Sequence, residues 1–208
     1  MKIYSFLWLM LFSFSSIWAQ EPEKKTPKSS HQLWKVELLH TYDVLNMSYG
    51  FNYGFIAKGK FNFYNRKHLN LYCGMAHQYS YISESDNLFS DKVDGYTKDI
   101  GLYTVLDIVF YPFKKKTLYL SLEPFVGLTH LRSKGTLKMP HYGIVETYKN
   151  DYVYFNYGFT QGIGYTLGQF TIQASVWLSL KGFLDEGRSR PADFDSRFLI
   201  GLGASYSF

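Results

Sequence analysis

From residue 33 to its last residue the chain alternates apolar and polar side chains with a period of two, and the charges collect on one side of that alternation. In 98–111, Ile100, Leu102, Leu106, Ile108 and Phe110 share one side, while Asp99, Gly101, Tyr103, Asp107 and Tyr111 share the other. In 117–131, Leu118, Leu120, Leu122, Val126 and Leu128 oppose Tyr119, Ser121, Glu123 and Gly127. In 169–182, Phe170, Ile172, Ala174, Val176, Leu178 and Leu180 oppose Thr171, Gln173, Ser175, Ser179 and Lys181. The last segment sends Phe198, Ile200, Leu202, Ala204, Tyr206 and Phe208 to one side. A period of two belongs to strands, whose successive side chains point to opposite faces. Aromatic residues make up 20% of the chain, yet the mean hydropathy is only -0.18. A helical membrane protein is far more apolar, and beyond residue 19 no run is long enough to span as a helix.

Eight such segments are expected, near 33–42, 48–64, 68–82, 98–111, 117–131, 152–166, 169–182 and 196–208. Short turns fall at Asn65-Arg66-Lys67, at Pro112–Lys116 and at Leu167-Gly168-Gln169. Longer polar links fall at about 83–97, 132–151 and 183–195, with a first, brief link around Asp43–Met47. Strands joined alternately by short and long connections predict an all-β fold, an eight-stranded antiparallel up-and-down transmembrane β-barrel. The apolar side then faces lipid, where a Lys or Arg at mid-bilayer costs about 2–4 kcal/mol.

The opposite side faces the lumen. The alternation turns Lys35, Glu37, Lys58, Lys60, Asp99, Asp107, Glu123, Lys181 and Arg197 inward. Positive and negative groups nearly balance in this set. Eight strands enclose about as much room as side chains can fill, and buried charges are tolerable only when paired. The expected reading is a salt-bridged plug; a narrow path for ions or small solutes is the alternative.

Both ends of the chain fit this placement. Lys2 precedes an apolar run from Ile3 to Phe14, then Ser15-Ser16-Ile17-Trp18-Ala19 and Gln20. This predicts a signal peptide over 1–19, a flexible periplasmic leader over 20–32 and a barrel domain over 33–208. Removing Lys2 with the signal lowers the formal charge of +5 by one. The remaining positive groups are spread over the leader, turns and one loop, which is no nucleic-acid footprint. Cys73 stands alone, so no internal disulfide and no multi-cysteine metal site is expected. The chain finishes Gly203-Ala204-Ser205-Tyr206-Ser207-Phe208. Gly203, Tyr206 and Phe208 resemble the insertion signal of bacterial outer-membrane barrels, although Gly201 stands where that signal favours a polar residue. With Tyr111-Pro112-Phe113 and Gly162-Ile163-Gly164-Tyr165, the strand plan resembles small barrels of the OmpA/OmpX type and the outer-membrane β-barrel domains of Bacteroidota. That resemblance implies residence in the Gram-negative outer membrane, contact with its lipid and lipopolysaccharide, and insertion by the barrel assembly machinery. It implies no trailing peptidoglycan-binding domain, no cofactor and no catalytic residues.

Other chemistries fit the sequence less well. Lipid A deacylases use a His and a Ser two apart followed by Asn; His130-Leu131-Arg132-Ser133 has the wrong spacing and puts the two on opposite faces. His40, His77 and His130 fall on non-adjacent strands and cannot converge on one ion; headgroup-level placement is expected for them. Glu84, Asp86, Asp91 and Asp94 lack the spacing of a calcium loop and read as a solvated link. Arg132, Lys134, Lys138, His141 and Lys149, interleaved with aromatic residues, read as an exposed hairpin or as a surface for lipopolysaccharide phosphates or a partner protein. The expected role is structural or interactional, in surface loops or as a subunit of an envelope assembly with another protein. A lipid A-modifying enzyme is the remote alternative.

Overall fold

The computed structural model describes residues 33–44, 52–88, 91–139, 142–180 and 198–208. The expected signal peptide, the leader, most of the first link, the link at 183–195 and the lumen candidates Lys181 and Arg197 lie outside the described residues. Eight strands are present: β1 (Trp34–Asp43), β2 (Asn52–Asn65), β3 (Leu69–Leu88), β4 (Asp91–Phe110), β5 (Leu118–Met139), β6 (Ile144–Leu167), β7 (Phe170–Ser179) and β8 (Phe198–Ser207). Each pairs antiparallel with its chain neighbours, and β1 pairs with β8 to close the barrel. Among the described residues no helix is long and apolar enough to cross a membrane.

The ring closes in register. Lys35 lies opposite Ser207 and Asp43 opposite Leu199, and Trp34 and Phe208 exchange both backbone hydrogen bonds at 3.0 Å. Following partners from Asn62 to Tyr72, then from Glu123 to Thr160, Trp177, Leu199 and Asp43, the circuit regains β1 far above its lower end. That stagger tilts the strands and lets eight of them enclose a filled lumen. The short turns lie at the end that carries Trp34 and Phe208. Gly168 takes φ +66 in the β6–β7 turn, a conformation that favours glycine, whereas Lys116 adopts φ 51 in the β4–β5 turn without that freedom.

Burial follows the alternation. In β1 every second residue is buried, and in β8 the outward set includes Leu202, 65% exposed. Ile172, Leu38, Leu128 and Leu102 continue this apolar belt around the outside. A continuous apolar exterior of this kind needs lipid to cover it. Aromatic rings mark both rims. Trp34 packs on Phe61 at 5.2 Å and Phe170 on Tyr206 at 5.1 Å below; Phe55 on Tyr79 at 5.3 Å and Tyr81 on Tyr96 at 6.1 Å lie above. These are the interfacial girdles of a spanning barrel.

Two expectations about the links need correction. Residues 83–88, 91–97, 132–139 and 144–151 are strands, not loops. The β3–β4 ladder runs up to Leu88–Asp91, and the β5–β6 ladder up to Met139–Ile144. Above the membrane the outward face of a strand meets water in place of lipid, so the apolar alternation that betrays a strand inside the belt disappears. Backbone pairing persists without it, and strands ended at 82, 98, 131 and 152 are too short.

Candidate functional site

The lumen is built in layers. At the lower level Lys35 and Glu37 of β1, Lys58 and Lys60 of β2, Asp107 of β4 and Glu123 of β5 converge, each almost fully buried. Lys35 Nζ lies 2.6 Å from Glu37 Oε1, and Lys60 Nζ lies 2.9 Å from the same oxygen and 2.6 Å from Asp107 Oδ2. Lys58 reaches Glu37 at 3.7 Å, and both Lys58 and Lys60 pair with Glu123 across the barrel. Three ammonium groups thus meet three carboxylates, and Lys60 touches all three acids. Aromatic faces complete the solvation: Lys35 lies 4.9 Å from the Tyr119 ring centre and 5.7 Å from that of Tyr72. The Tyr119 hydroxyl donates to Gln173 at 2.5 Å.

Of the nine inward charges expected, six join this cluster. Asp99 is fully buried but sits higher in the barrel, opposite Ser80 and Leu131, apart from the others. What reading the charges alone missed is the layer above them. Leu39, Ile56, Ala76, Tyr103, Val105, Phe125, Trp177 and Leu199 form a dry cluster across the lumen. Phe125 stacks on Trp177 at 3.7 Å, and Tyr103 meets both rings at 5.2 Å. The signal was in the sequence, because the alternation that turns Glu123 inward also turns Phe125 inward, and Ser175 carries Trp177 with it. Above the rings the Tyr103 hydroxyl joins Gln78 at 2.9 Å, Thr129 at 2.7 Å and Asn156 at 3.3 Å. The void beside Glu37, Lys58, Lys60 and Glu123 measures about 10 Å³, room for roughly one water.

The second feature is the part that leaves the membrane. β2 stops pairing with β3 at Asn52–Ile82, and β6 pairs with β7 only from Gly158–Ser179 downward. Between those limits β3, β4, β5 and β6 continue as a four-stranded sheet that stands above the ring. Among the described residues the β6–β7 ladder ends at Gly158–Ser179, while β6 stays paired with β5 up to Ile144, on the order of 40 Å further.

The histidines separate. His40 lies between Phe55 of the upper girdle and Leu202, and His77 lies between Ala57 and Leu102. His130 stands higher, its Nε2 2.6 Å from Asp151 Oδ1, while Arg132 holds Asp151 Oδ2 from Nε and Nη2 at 3.0 Å. The His130 hydrogen bond, with help from Arg132, keeps the Asp151 carboxyl below the usual carboxylate range. Ser133 is fully buried on the opposite face of the same strand, so His130 cannot activate it. Gly203 gains a structural reason: a Cβ there would run into the Leu38 carbonyl across the β1–β8 seam. Tyr206 and Phe208 point outward at the lower rim, their rings 5.9 Å apart.

No protein-family model matches the chain, and no characterised protein matches it in sequence. Solved structures with a similar chain path include Ail, the attachment invasion locus protein of Yersinia pestis, at 19% identity and a TM-score of 0.45, covering 85% of this chain and 97% of that one. Neisserial surface protein A is similar at 12% identity and a TM-score of 0.43, covering 87% and 100%. The N-terminal barrel domain of Pseudomonas aeruginosa OprF is similar at 13% identity and a TM-score of 0.36, covering 85% and 98%. These are likenesses of strand arrangement. On its own closed ring, filled lumen, apolar belt and paired aromatic girdles, the chain is an integral β-barrel of the outer membrane.

Proposed function

We propose that this barrel is a membrane-anchored binding platform whose protruding sheet of β3, β4, β5 and β6 presents its surface to another envelope or extracellular protein. Residues 1–19 are its cleaved signal, 20–32 its periplasmic leader, and the barrel assembly machinery its partner during insertion. The observation that carries the reading is the paired sheet of β3, β4, β5 and β6 that stands above the ring. Specificity would come from alternate side chains: Val145 and Val153 are more than half exposed on one face, and Tyr148 and Tyr152 lie on the other.

The filled lumen favours this reading over a narrow pore. A conducting path has to pass both the ion-paired layer and the Phe125–Trp177 stack. The charge layer serves instead as the plug that holds the ring in shape. A lipid A-modifying activity finds no support in the one echo of its motif, since His130 and Ser133 face opposite ways.

Site-specific photo-crosslinking in intact cells tests the platform. A benzophenone side chain at Val145, Thr147 or Val153 should give one discrete protein adduct, and none at Ile163 or Ile172 on the belt. A normally inserted barrel that gives no adduct at any of these sheet positions would show that the sheet has no protein partner.

A further inference from the structure

The outward face of the sheet changes character immediately above the belt on β4, β5 and β6. Leu102, Leu128 and Phe155 stand side by side on that face, and Ile100, His130 and Val153 form the next row up. The row above that is Lys98, Arg132 and Asp151; above it come Tyr96, Lys134 and Lys149. Rows alternate every two residues, about 7 Å along the strand. Lys98, Arg132, Lys134 and Lys149 therefore stand over an apolar surface within headgroup reach of it.

These cations are under-neutralised where they stand. Asp151 is the one carboxylate in the two rows, and it is already held by His130 at 2.6 Å and Arg132 at 3.0 Å. Lys134 and Lys149 lie directly opposite each other across the ladder, and no acidic group among the described residues pairs with either. Like charges facing each other across a ladder oppose its pairing. Lys98 is placed by aromatic rings, 5.0 Å from the centre of Tyr96 and 5.6 Å from that of Tyr81. An anion bridging the rows would relieve the repulsion.

We propose that this face is a site for a phosphorylated lipid of the outer leaflet. Its acyl chains lie along Leu102, Leu128 and Phe155, and its phosphate groups rest on Lys98, Arg132, Lys134 and Lys149. The continuity of apolar and cationic rows on one outward face selects an amphiphile over a free polyanion, because a soluble anion would make no use of the rows beneath. Arg132 offers a planar fork to phosphate, and the lysines offer mobile point charges. The site rests on the belt's placement in lipid and is independent of protein binding by the sheet.

The test uses the whole barrel in phosphatidylcholine nanodiscs doped with bis-phosphorylated lipid A, read by native mass spectrometry as the fraction of barrels retaining that lipid. The variant Lys98→Gln/Arg132→Gln/Lys134→Gln/Lys149→Gln should lose retention at least tenfold, and dephosphorylated lipid A should be retained no better by wild type than by the variant. Lys134→Gln/Lys149→Gln alone, above the ring and away from its closure, should lose several-fold and serves if the fourfold variant does not fold. Equal retention by wild type and folded variants overturns the proposal. Displacement of the lipid by millimolar pyrophosphate also overturns it, by making the face a site for soluble polyphosphate.

Discussion

Replacing Lys60 by Met is the sharpest probe of the lumen. Its ammonium is the only group in the cluster that touches all three acids, Glu37 at 2.9 Å, Asp107 at 2.6 Å and Glu123. Methionine keeps the volume of the stem and removes the charge. Two ammonium groups then face three carboxylates beside a void with room for about one water. Stripping one partner from a buried ion pair costs about 3–5 kcal/mol, because the remaining charge is left without solvent or counterion. At about 1.4 kcal/mol per decade, the unfolding equilibrium shifts by two to three and a half powers of ten. Asp107→Asn alone leaves Lys60 with Glu37 and Glu123 and should cost about 1–3 kcal/mol, the range for one unsatisfied buried partner.

The double variant Lys60→Met/Asp107→Asn separates charge balance from packing. It leaves Lys35, Lys58, Glu37 and Glu123, two of each sign, still joined through Glu37 and Glu123. It should be more stable than Lys60→Met by about 2 kcal/mol, a coupling typical of groups in one network. Urea unfolding from phosphatidylcholine vesicles measures this, followed by tryptophan fluorescence and by the mobility shift of the folded barrel on unheated gels. Trp34 reports the lower rim and Trp177 the lumen. A Lys60→Met loss below 1 kcal/mol would refute the reasoning, and so would a double variant whose loss equals the sum of the two single losses.

Gly203→Ala should destabilise the barrel by about 1–3 kcal/mol through overpacking at the β1–β8 seam. Gly59→Ala, where a Cβ meets nothing within 4 Å, should change stability by less than about 0.5 kcal/mol in the same titration. Trp177→Ala removes the 3.7 Å stack on Phe125 and should cost about 3–5 kcal/mol. In planar bilayers neither wild type nor Trp177→Ala should give discrete current steps; wild-type steps abolished by Glu123→Gln would establish the pore instead. The Asp151 clamp has a defined pH dependence. Its folded carboxyl titrates below the ordinary value of 3.8, so its contribution is present above that value and is lost as pH falls through the lower folded one. The Asp151 Cγ chemical shift should titrate with a midpoint below 3.8; a midpoint at or above 3.8 would contradict the assignment.

How much was legible depended on the solvent each segment meets. Inside the belt, lipid on one side and a packed lumen on the other enforce a strict two-residue period, so Ile100, Leu102 and Leu106 identified β4 and fixed its facing. Above the belt the outward residues Asp94, Tyr96 and Lys98, like Arg132, Lys134 and Lys138, meet water in place of lipid, and nothing forces that face to be apolar. The upper halves of β3 to β6 were therefore read as links although their ladders are unbroken. The charge cluster was legible because Lys35, Lys58 and Glu123 break a rule that apolar residues obey. Phe125 and Trp177 break no rule on either face of a lipid-spanning strand, so the layer they build across the lumen shows only once the faces are counted through them.

That contrast bears on why the lumen carries charge at all. A purely apolar filling would pack an eight-stranded ring, but it would not distinguish one strand register from the next, since Leu or Phe is tolerated on either face. Lysine is not. A one-residue slip of β2 would turn Lys58 and Lys60 out of reach of Glu37, Asp107 and Glu123 and into the belt. Each would then cost about 2–4 kcal/mol at mid-bilayer, besides leaving three carboxylates unpaired. The cluster joins β2 not only to its neighbour β1 but across the barrel to β4 and β5. One slip anywhere on that circuit is felt at every member, so the buried ion pairs act chiefly by excluding the barrels this chain must not form.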